Sequence, residues 1–530
     1  MQKVIKNIIE KKLGREIVLE KPKDVTLGHF ATPIAFSLAK EYKKAPNIIA
    51  SELALMFEDD STFEAVNAVN GFINFKLSLS FLQHLSNNAL NDESSYTKGS
   101  KKEGRMLLEF VSANPTGPLH IGHARGAIFG DTLLKVGKHL GYDIVSEYYI
   151  NDAGAQVDLL GVSLILAARE YILKESVIYP EAYYRGEYLI DIAEEVCDIY
   201  GKDVFSDASR LSELVEFSKN KVMELIKQDL LDIGVSFDNF VSEKSLYNKW
   251  DETKEILTKN NSLYEQDSRV WLKSSQKGDE KDRVVVRENG VPTYLAGDII
   301  YHKDKFDRNY DHYINIWGAD HHGYIARVKA AISFLGYDSS KLEVLLSQMV
   351  SLLKDGEPYK MSKRAGNVIL MSDITKEIGS DALRFVFLTR KSDTHLEFDI
   401  NTLKNQDSTN PIFYINYAHA RINQLFQKAG VDIKDIIEYQ IEENIPQNAK
   451  DLLYEALLLE DVLNEAFEKR DFQKITDYLY FLSSFVHKFY NAGKIIDDEY
   501  QNSYLKILAM CALSIRVGLK LLGIEAKEKM

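Results

Sequence analysis

From Arg105 to Ile150 the chain spells out a strand, a loop, a helix and a second strand with few residues to spare. RMLLEFVS (105–112) has the length and apolar content of a buried strand. Residues 121–140 follow helical periodicity up to Gly141, and DIVSEYYI (143–150) is again strand-like. Strands joined through a helix run parallel, and a parallel sheet is covered on both faces. The sequence therefore predicts an open α/β sheet. Its first loop lies at the carboxyl edge, where such sheets bind ligands.

That loop and the helix start read ANPTGPLHIGHARGA (113–127), with two prolines, three glycines and two histidines. His120 and His123, at i and i+3, project from one face of the first helical turn. The helix N-terminus offers unpaired N–H groups and partial positive charge, which suit a phosphate. Gly122 leaves room for a flat ring such as adenine. The alternative is that both histidines merely cap and pack the helix. GxxxxGK[ST] and GxGxxG are both absent, which excludes a P-loop and a Rossmann dinucleotide site. A second basic loop, GEPYKMSKRAGN (356–367), carries Lys360, Lys363 and Arg364 between glycines. Three cations there suit a triphosphate, engaged as charge develops. Alone, the loop would read as a solvated turn.

The remaining pattern divides the chain. Residues 1–90 read as a small helix-and-strand unit, with helices near 30–42 and 48–57 and a strand in GFINFKLS (71–78). A polar linker follows at 91–102. Residues from about 160 to 280 are mostly helical and charged, as an insertion. Strand signals return in DRVVVR (282–287), VPTYLA (291–296) after a turn at Asn289 and Gly290, and HYINIWGAD (312–320), splitting the sheet into halves. From Ser380 onward the pattern is that of a helical bundle. At 530 residues the chain exceeds what one core organises, and no apolar run approaches the roughly 18 residues of a membrane span. The start lacks the features of a secretory signal. Cys197 and Cys511 are too few for a disulfide framework or a thiolate zinc site, which fits a reducing, cytoplasmic setting. A net charge of −14 argues against indiscriminate nucleic-acid coating but not against a local basic face.

HIGH (120–123) and KMSK (360–363), in that order and one in each half of the sheet, resemble the paired signature of class I aminoacyl-tRNA synthetases. Along nearly its whole length the chain is similar to the arginyl-tRNA synthetases. The segments are EFVSANPTGPLHIGHARGA (109–127), DAGAQV (152–157), YLAGDI (294–299), WGADHHGY (317–324), DALRF (381–385), NPIFYINYAHARI (410–422) and LLGIEAKEKM (521–530). TLGHFATPIAFSLAK (26–40) and GFINF (71–75) resemble the family's N-terminal module.

The resemblance implies a split Rossmann-type parallel-sheet catalytic domain over residues 100–380, with a helical insertion at about 160–280. It also implies an N-terminal α/β module (1–90) that binds the tRNA elbow, and a C-terminal α-helical bundle of DALR type (381–530) that binds the anticodon. The implied activity is ATP-dependent attachment of L-arginine to tRNA(Arg) through an arginyl adenylate, by a cytoplasmic monomer. His120, His123, Lys360 and Lys363 would be catalytic. ATP would meet Pro115, Thr116, Gly117, His120, Gly122, His123, Asp320, Lys360, Met361, Ser362 and Lys363. Arginine would meet Glu109, Ala113, Asn114, His123, Tyr294, Asp298 and His322; tRNA would meet Phe72, Asn74, Tyr414, Tyr417 and Arg421. One departure is Ala319, where some members carry a glutamine toward the substrate's α-amino group. Asp320 or His322 would replace it.

The chemistry supports this set on its own grounds. A guanidinium is planar and permanently charged, so its pocket needs carboxylates placed for paired hydrogen bonds. Glu109, ending one buried strand, and Asp298, at the mouth of another, would supply them, with Tyr294 closing the pocket. Asp298 also reads as a helix-capping carboxylate. Magnesium is expected to arrive with the triphosphate. Asp320, His321 and His322 are zinc-ligand types, but adjacent side chains rarely converge on one ion and no cluster completes the set, so no protein-bound zinc is expected. Tyr414, Tyr417 and Arg421, at i, i+3 and i+7, are either core or a platform for unpaired bases. Two other functions compete. A non-catalytic relative would be free to lose either signature, and a nucleotidylyltransferase would not need the terminal helical domain.

Overall fold

A computed structural model describes every residue except Lys23 and residues 360–367. Five parallel strands form the central sheet, in the order Leu342–Ser347, His312–Gly318, Arg105–Glu109, Asp143–Ile150, Asn239–Ser242. The chain starts at the middle strand, builds outward on one side, then returns to build the other. The order reverses between Arg105–Glu109 and His312–Gly318, and a ligand crevice opens at the carboxyl ends of two such strands. The first crossover is the helix Ile121–His139, buried along most of its length.

The insertion is smaller than the sequence predicts. Its helices are Ala155–Tyr171, Glu187–Tyr200 and Leu211–Asp232, whereas Asn239–Ser242 is an edge strand of the central sheet. Leu263–Gln266, Arg269–Leu272 and Arg283–Val286 form a separate antiparallel sheet. The predicted strand VPTYLA is also corrected. The turn at Gly290 brings the chain back, but only the bridge Val286 to Pro292 forms. Pro292 has no N–H to continue a ladder, and from Tyr294 to Asp307 the chain is helical. Asp298 therefore lies inside a helix rather than at a strand mouth.

In the N-terminal module, Pro33 delays the helix to Ile34–Tyr42, and Phe30–Thr32 pairs with the strand Phe72–Leu77 instead. Leu79–Asn91 is a helix that packs against the last helix of the chain, Gln501–Leu521, so the module's own fold ends near residue 78. The bundle comprises Pro411–Ala429, Gln447–Ala456, Leu459–Glu468, Gln473–Ala492 and Gln501–Leu521. Before it, the strand Leu396–Asp399 pairs with Val350–Lys354 in a separate small sheet, so the chain is not yet in the bundle at residue 399.

Among the contacts that fasten the C-terminal part of the chain to the helix Ile121–His139, two stand out. Arg384, fully buried, pairs with Asp131 of that helix and donates to the carbonyls of Leu522 (2.6 Å) and Ile233 (2.7 Å). Gly137 lies against Ile144 and Phe467, and a Cβ there would sit 2.6 Å from the Phe467 ring. Gly137→Ala gains about 1 kcal/mol of helix propensity but overpacks a closed contact at about 1–3 kcal/mol. Net stability is expected to fall by up to about 2 kcal/mol in denaturant unfolding. An increase would mean that the contact has slack.

Candidate active site

The loop leaving the central strand is strained and held from both sides. Val111 and Ser112 have φ of 69° and 44°, a left-handed pair that a β-branched residue strongly disfavours. The turn aims the Ser112 hydroxyl at the Glu109 carboxylate (2.9 Å), while its oxygen accepts from the Tyr149 N–H (3.1 Å). Tyr148 donates to the Ala113 carbonyl and Tyr188, from the insertion, to the Thr116 carbonyl, both at 2.8 Å. Ala113 and Pro115 are buried, Asn114 donates to Gln156 at 2.5 Å, and Gly117 faces the Tyr188 hydroxyl. Asp229 of the insertion accepts from the Leu119 N–H (3.2 Å).

His120 and His123 do cap their helix, and this leaves each one nitrogen to spare. His120 Nδ1 accepts from the Gly122 N–H (3.2 Å) and His123 Nδ1 from the His120 N–H (3.3 Å). The rings stack with centroids 3.7 Å apart. Burial lowers both pKa values, that of His123 to about 3, so neither ring is charged at neutral pH. A neutral imidazole accepting at Nδ1 carries its proton on Nε2. Two Nε2–H donors thus project side by side at a helix N-terminus. A Cβ on Gly122 would meet the His120 ring at 3.0 Å, so this glycine makes room for the histidine itself.

Lys360, Met361, Ser362 and Lys363 lie outside the described residues. The chain just after them is described: the Ile121 N–H donates to the Ile369 carbonyl and the Met371 N–H to the Leu119 carbonyl, both at 2.9 Å. The exit of the second basic loop is therefore fastened to the histidine loop.

The proposed arginine pocket differs from the expectation in its carboxylates. Glu109 is buried and already paired with Lys305, itself fully buried. Lys305 also donates to Asn315 Oδ1 (2.8 Å) and lies 4.4 Å from the Tyr301 ring centre. Asp298, half-buried, has no hydrogen bond or ion pair to its carboxylate among the described residues. Burial first, then Glu243 and Glu109, push its pKa up to about 8, while Lys305 and Arg327 oppose the rise. Glu243, which sequence reasoning missed, is buried with one oxygen taking the Tyr247 hydroxyl (2.8 Å) and the other unpartnered. Burial raises its pKa to about 7. It lies against Gly297, where a Cβ would come within 2.5 Å of its carboxylate. Tyr294 opens the helix, 43% exposed, its hydroxyl leaning toward Gly154. Asp320 and His322 are exposed on the short helix Ala319–Tyr324 that follows the strand across the switch point. Among the described residues no group of His, Cys, Asp or Glu has a metal-holding arrangement.

Of the residues expected at RNA, Phe72 packs edge-on against the half-exposed Phe36. Asn74 is 2% exposed and donates to the Asn67 carbonyl, so its side chain faces into the module. Tyr414, Tyr417 and Arg421 do share a half-buried face. Arg421 lies between the Tyr417 and Tyr490 rings, at 4.5 and 4.2 Å, and Tyr414 packs on Tyr480 and His487.

Comparison with known proteins places this architecture. The family description "tRNA synthetases class I (R), catalytic domain" matches residues 85–427, "DALR anticodon binding domain" matches 415–530 and "Arginyl tRNA synthetase N terminal domain" matches 1–77. The fold is that of a class I aminoacyl-tRNA synthetase. The arginine–tRNA ligase of Aliarcobacter butzleri is 67% identical over 530 residues, and that of a Nitratiruptor species 58%, each covering 100% of both chains. A crystal structure of a putative arginyl tRNA synthetase from Campylobacter jejuni is similar at TM-score 0.83 and 55% identity, covering 86% of this chain and 100% of that one. The Thermus thermophilus arginyl-tRNA synthetase shares the fold at TM-score 0.78 and 20% identity, with 100% of each chain covered. The chain belongs to the arginyl-tRNA synthetase family. Its activity is the ATP-dependent attachment of arginine to tRNA through an aminoacyl adenylate, for protein synthesis.

Proposed function

We propose that Asp298 and Glu243 receive the guanidinium of L-arginine, that the two histidine Nε2–H groups receive the α-phosphate of ATP, and that the product is arginyl-tRNA(Arg). The observation that carries this reading is a pair of neighbouring carboxylates, Asp298 and Glu243, neither of which forms an ion pair among the described residues. The arginine carboxylate attacks the α-phosphorus, a mixed anhydride forms and pyrophosphate leaves. A terminal ribose hydroxyl of the tRNA then attacks the carbonyl and AMP departs. His120 and His123 stabilise the charge on the α-phosphate oxygens as it develops. Tyr294 closes the pocket, Asn114 and His322 flank the substrate's α-amino end, and Asp320 takes the ribose. Lys360 and Lys363 accompany the departing pyrophosphate. Magnesium enters with the triphosphate, since it binds chiefly through substrate phosphates and keeps several waters. Phe72 meets the tRNA elbow, and Tyr414, Tyr417 and Arg421 meet anticodon bases by stacking. No helix among the described residues is long and apolar enough to cross a membrane. The enzyme works as a cytoplasmic monomer.

The pH dependence of arginine recognition tests the pocket. A bound guanidinium needs its carboxylates ionised, whereas the empty pocket holds protons with pKa values of about 8 for Asp298 and about 7 for Glu243. The KM for arginine is expected to fall as pH rises from about 6 to about 8 and then to level, with protons released on binding. Titration calorimetry in buffers of differing ionisation enthalpy measures the release. A KM independent of pH over that range would remove the carboxylate pair from the site.

A further inference from the structure

The Lys305–Glu109 pair lies close enough to Asp298 for both charges to act on its carboxyl, and the proposed steps do not use it. Lys305 and Asp298 are seven residues apart on one helix, so they share a face, one deep and one toward the opening. The Lys305 ammonium has a partner in each direction: the Glu109 carboxylate, Asn315 Oδ1 and the Tyr301 face. Asn315 is in turn hydrogen-bonded to His302 (3.1 Å), and His302 Nδ1 to the Asp298 carbonyl (2.8 Å). The arrangement has no slack. A buried ion pair recovers its desolvation cost only in part, so stability alone does not account for one here.

We infer that Lys305 is a specificity-determining residue: its ammonium occupies the one site on Glu109 that a substrate ammonium would seek, so the pocket takes a guanidinium and rejects lysine and ornithine. This rests on the arginine pocket proposed above. An ammonium is a compact, strongly hydrated point charge on a flexible stem and must find a full set of acceptors when desolvated. Glu109 would be the deepest such acceptor if it were free. With Lys305 in place, a second ammonium entering there meets a like charge at close range in a medium that screens poorly. A guanidinium is broader and less strongly hydrated, and it finds Asp298 and Glu243 without entering the floor.

Lys305→Met removes the internal cation while keeping most of the volume. In ATP–pyrophosphate exchange with tRNA present, the ratio of kcat/KM for arginine to that for lysine is expected to fall at least about tenfold, and ornithine should become a better competitive inhibitor by a similar factor. Lys305→Gln keeps a hydrogen bond to Glu109 without the charge. It should give the same loss and guards against a folding failure of the methionine variant. Glu109→Gln combined with Lys305→Met removes both charges and should restore the rejection of lysine. Unchanged discrimination in either single variant overturns the inference, as does equal loss in the single and double variants, which would mean loosened packing. Asp298→Asn in the same assay reports on the pocket itself. If that variant handles arginine normally, the pocket reading fails; if it loses arginine while the Lys305 variants still discriminate, only the inference about Lys305 fails.

Discussion

Asp298→Asn is expected to lower kcat/KM for arginine by a factor of about ten to a hundred or more, and at the same time to raise the melting temperature of the arginine-free enzyme. The first effect is the loss of a charged hydrogen-bond acceptor from a guanidinium, roughly 1.5–3 kcal/mol. The second follows from the empty pocket. The Asp298 pKa is raised from 3.8 to about 8, chiefly by burial, then by Glu243 and Glu109. A carboxyl raised in the fold is favoured there as the neutral acid. Its stabilisation is complete below the unfolded value and is lost as pH climbs toward the folded one. At pH 8 the aspartate thus costs stability that asparagine does not. The melting temperatures of variant and parent should coincide near pH 4 and diverge by several degrees by pH 8. Paired melts and kinetics separate the effects. Normal charging of arginine by the variant would reduce Asp298 to a half-buried helix residue.

His120→Ala and His123→Ala should each slow arginyl-adenylate formation by about 10²–10³, the usual loss when one preorganised donor to a developing charge is removed. Each substitution also removes a cap, because His120 and His123 accept backbone N–H groups through Nδ1. A lost cap costs about 0.5–2 kcal/mol of stability. His120→Ser separates the roles: serine caps well but cannot reach the phosphate, so stability returns and the rate does not. Single-turnover rates across a wide ATP range, with tRNA present, give the readout. A loss residing wholly in ATP affinity would place the histidines in the ground state only.

What the sequence made legible was local. The two strand signals at 105–112 and 143–150 flank a helix with its own stop signal; the structure has the second with its predicted bounds and ends the first at Glu109, because Val111 and Ser112 turn left-handed. Asn239–Ser242 was hidden because a four-residue, partly exposed edge strand has too few alternations to stand out from its helical surroundings. VPTYLA misled because its composition favours a strand while Pro292 forbids the ladder. The candidate site divides the same way. The histidine pair and its loop are contiguous, so their spacing could be read directly. Glu243 sits on a four-residue helix with no periodic signal, and Lys305 meets Glu109 across 196 residues. A lysine in YHKDKFDR looks like a solvated helix face until the fold buries it. The burial of Asn74 was hidden for the converse reason: a polar residue in a strand gives no sign of facing the core.

The buried Arg384 has a consequence in time. Its partners lie 253 residues before it at Asp131, 151 before it at Ile233 and 138 after it at Leu522. Synthesis at roughly 5–20 residues per second puts about 7–28 s between the emergence of Arg384 and that of its last partner. Throughout that interval the helix bearing the histidine pair has its sheet and its sequence but not its final clamp. A nascent chain therefore carries its reacting groups before it can hold them still. A chain that stalls before residue 522 leaves the Arg384 guanidinium one acceptor short, and presents a charged, half-closed seam to whatever clears unfinished proteins.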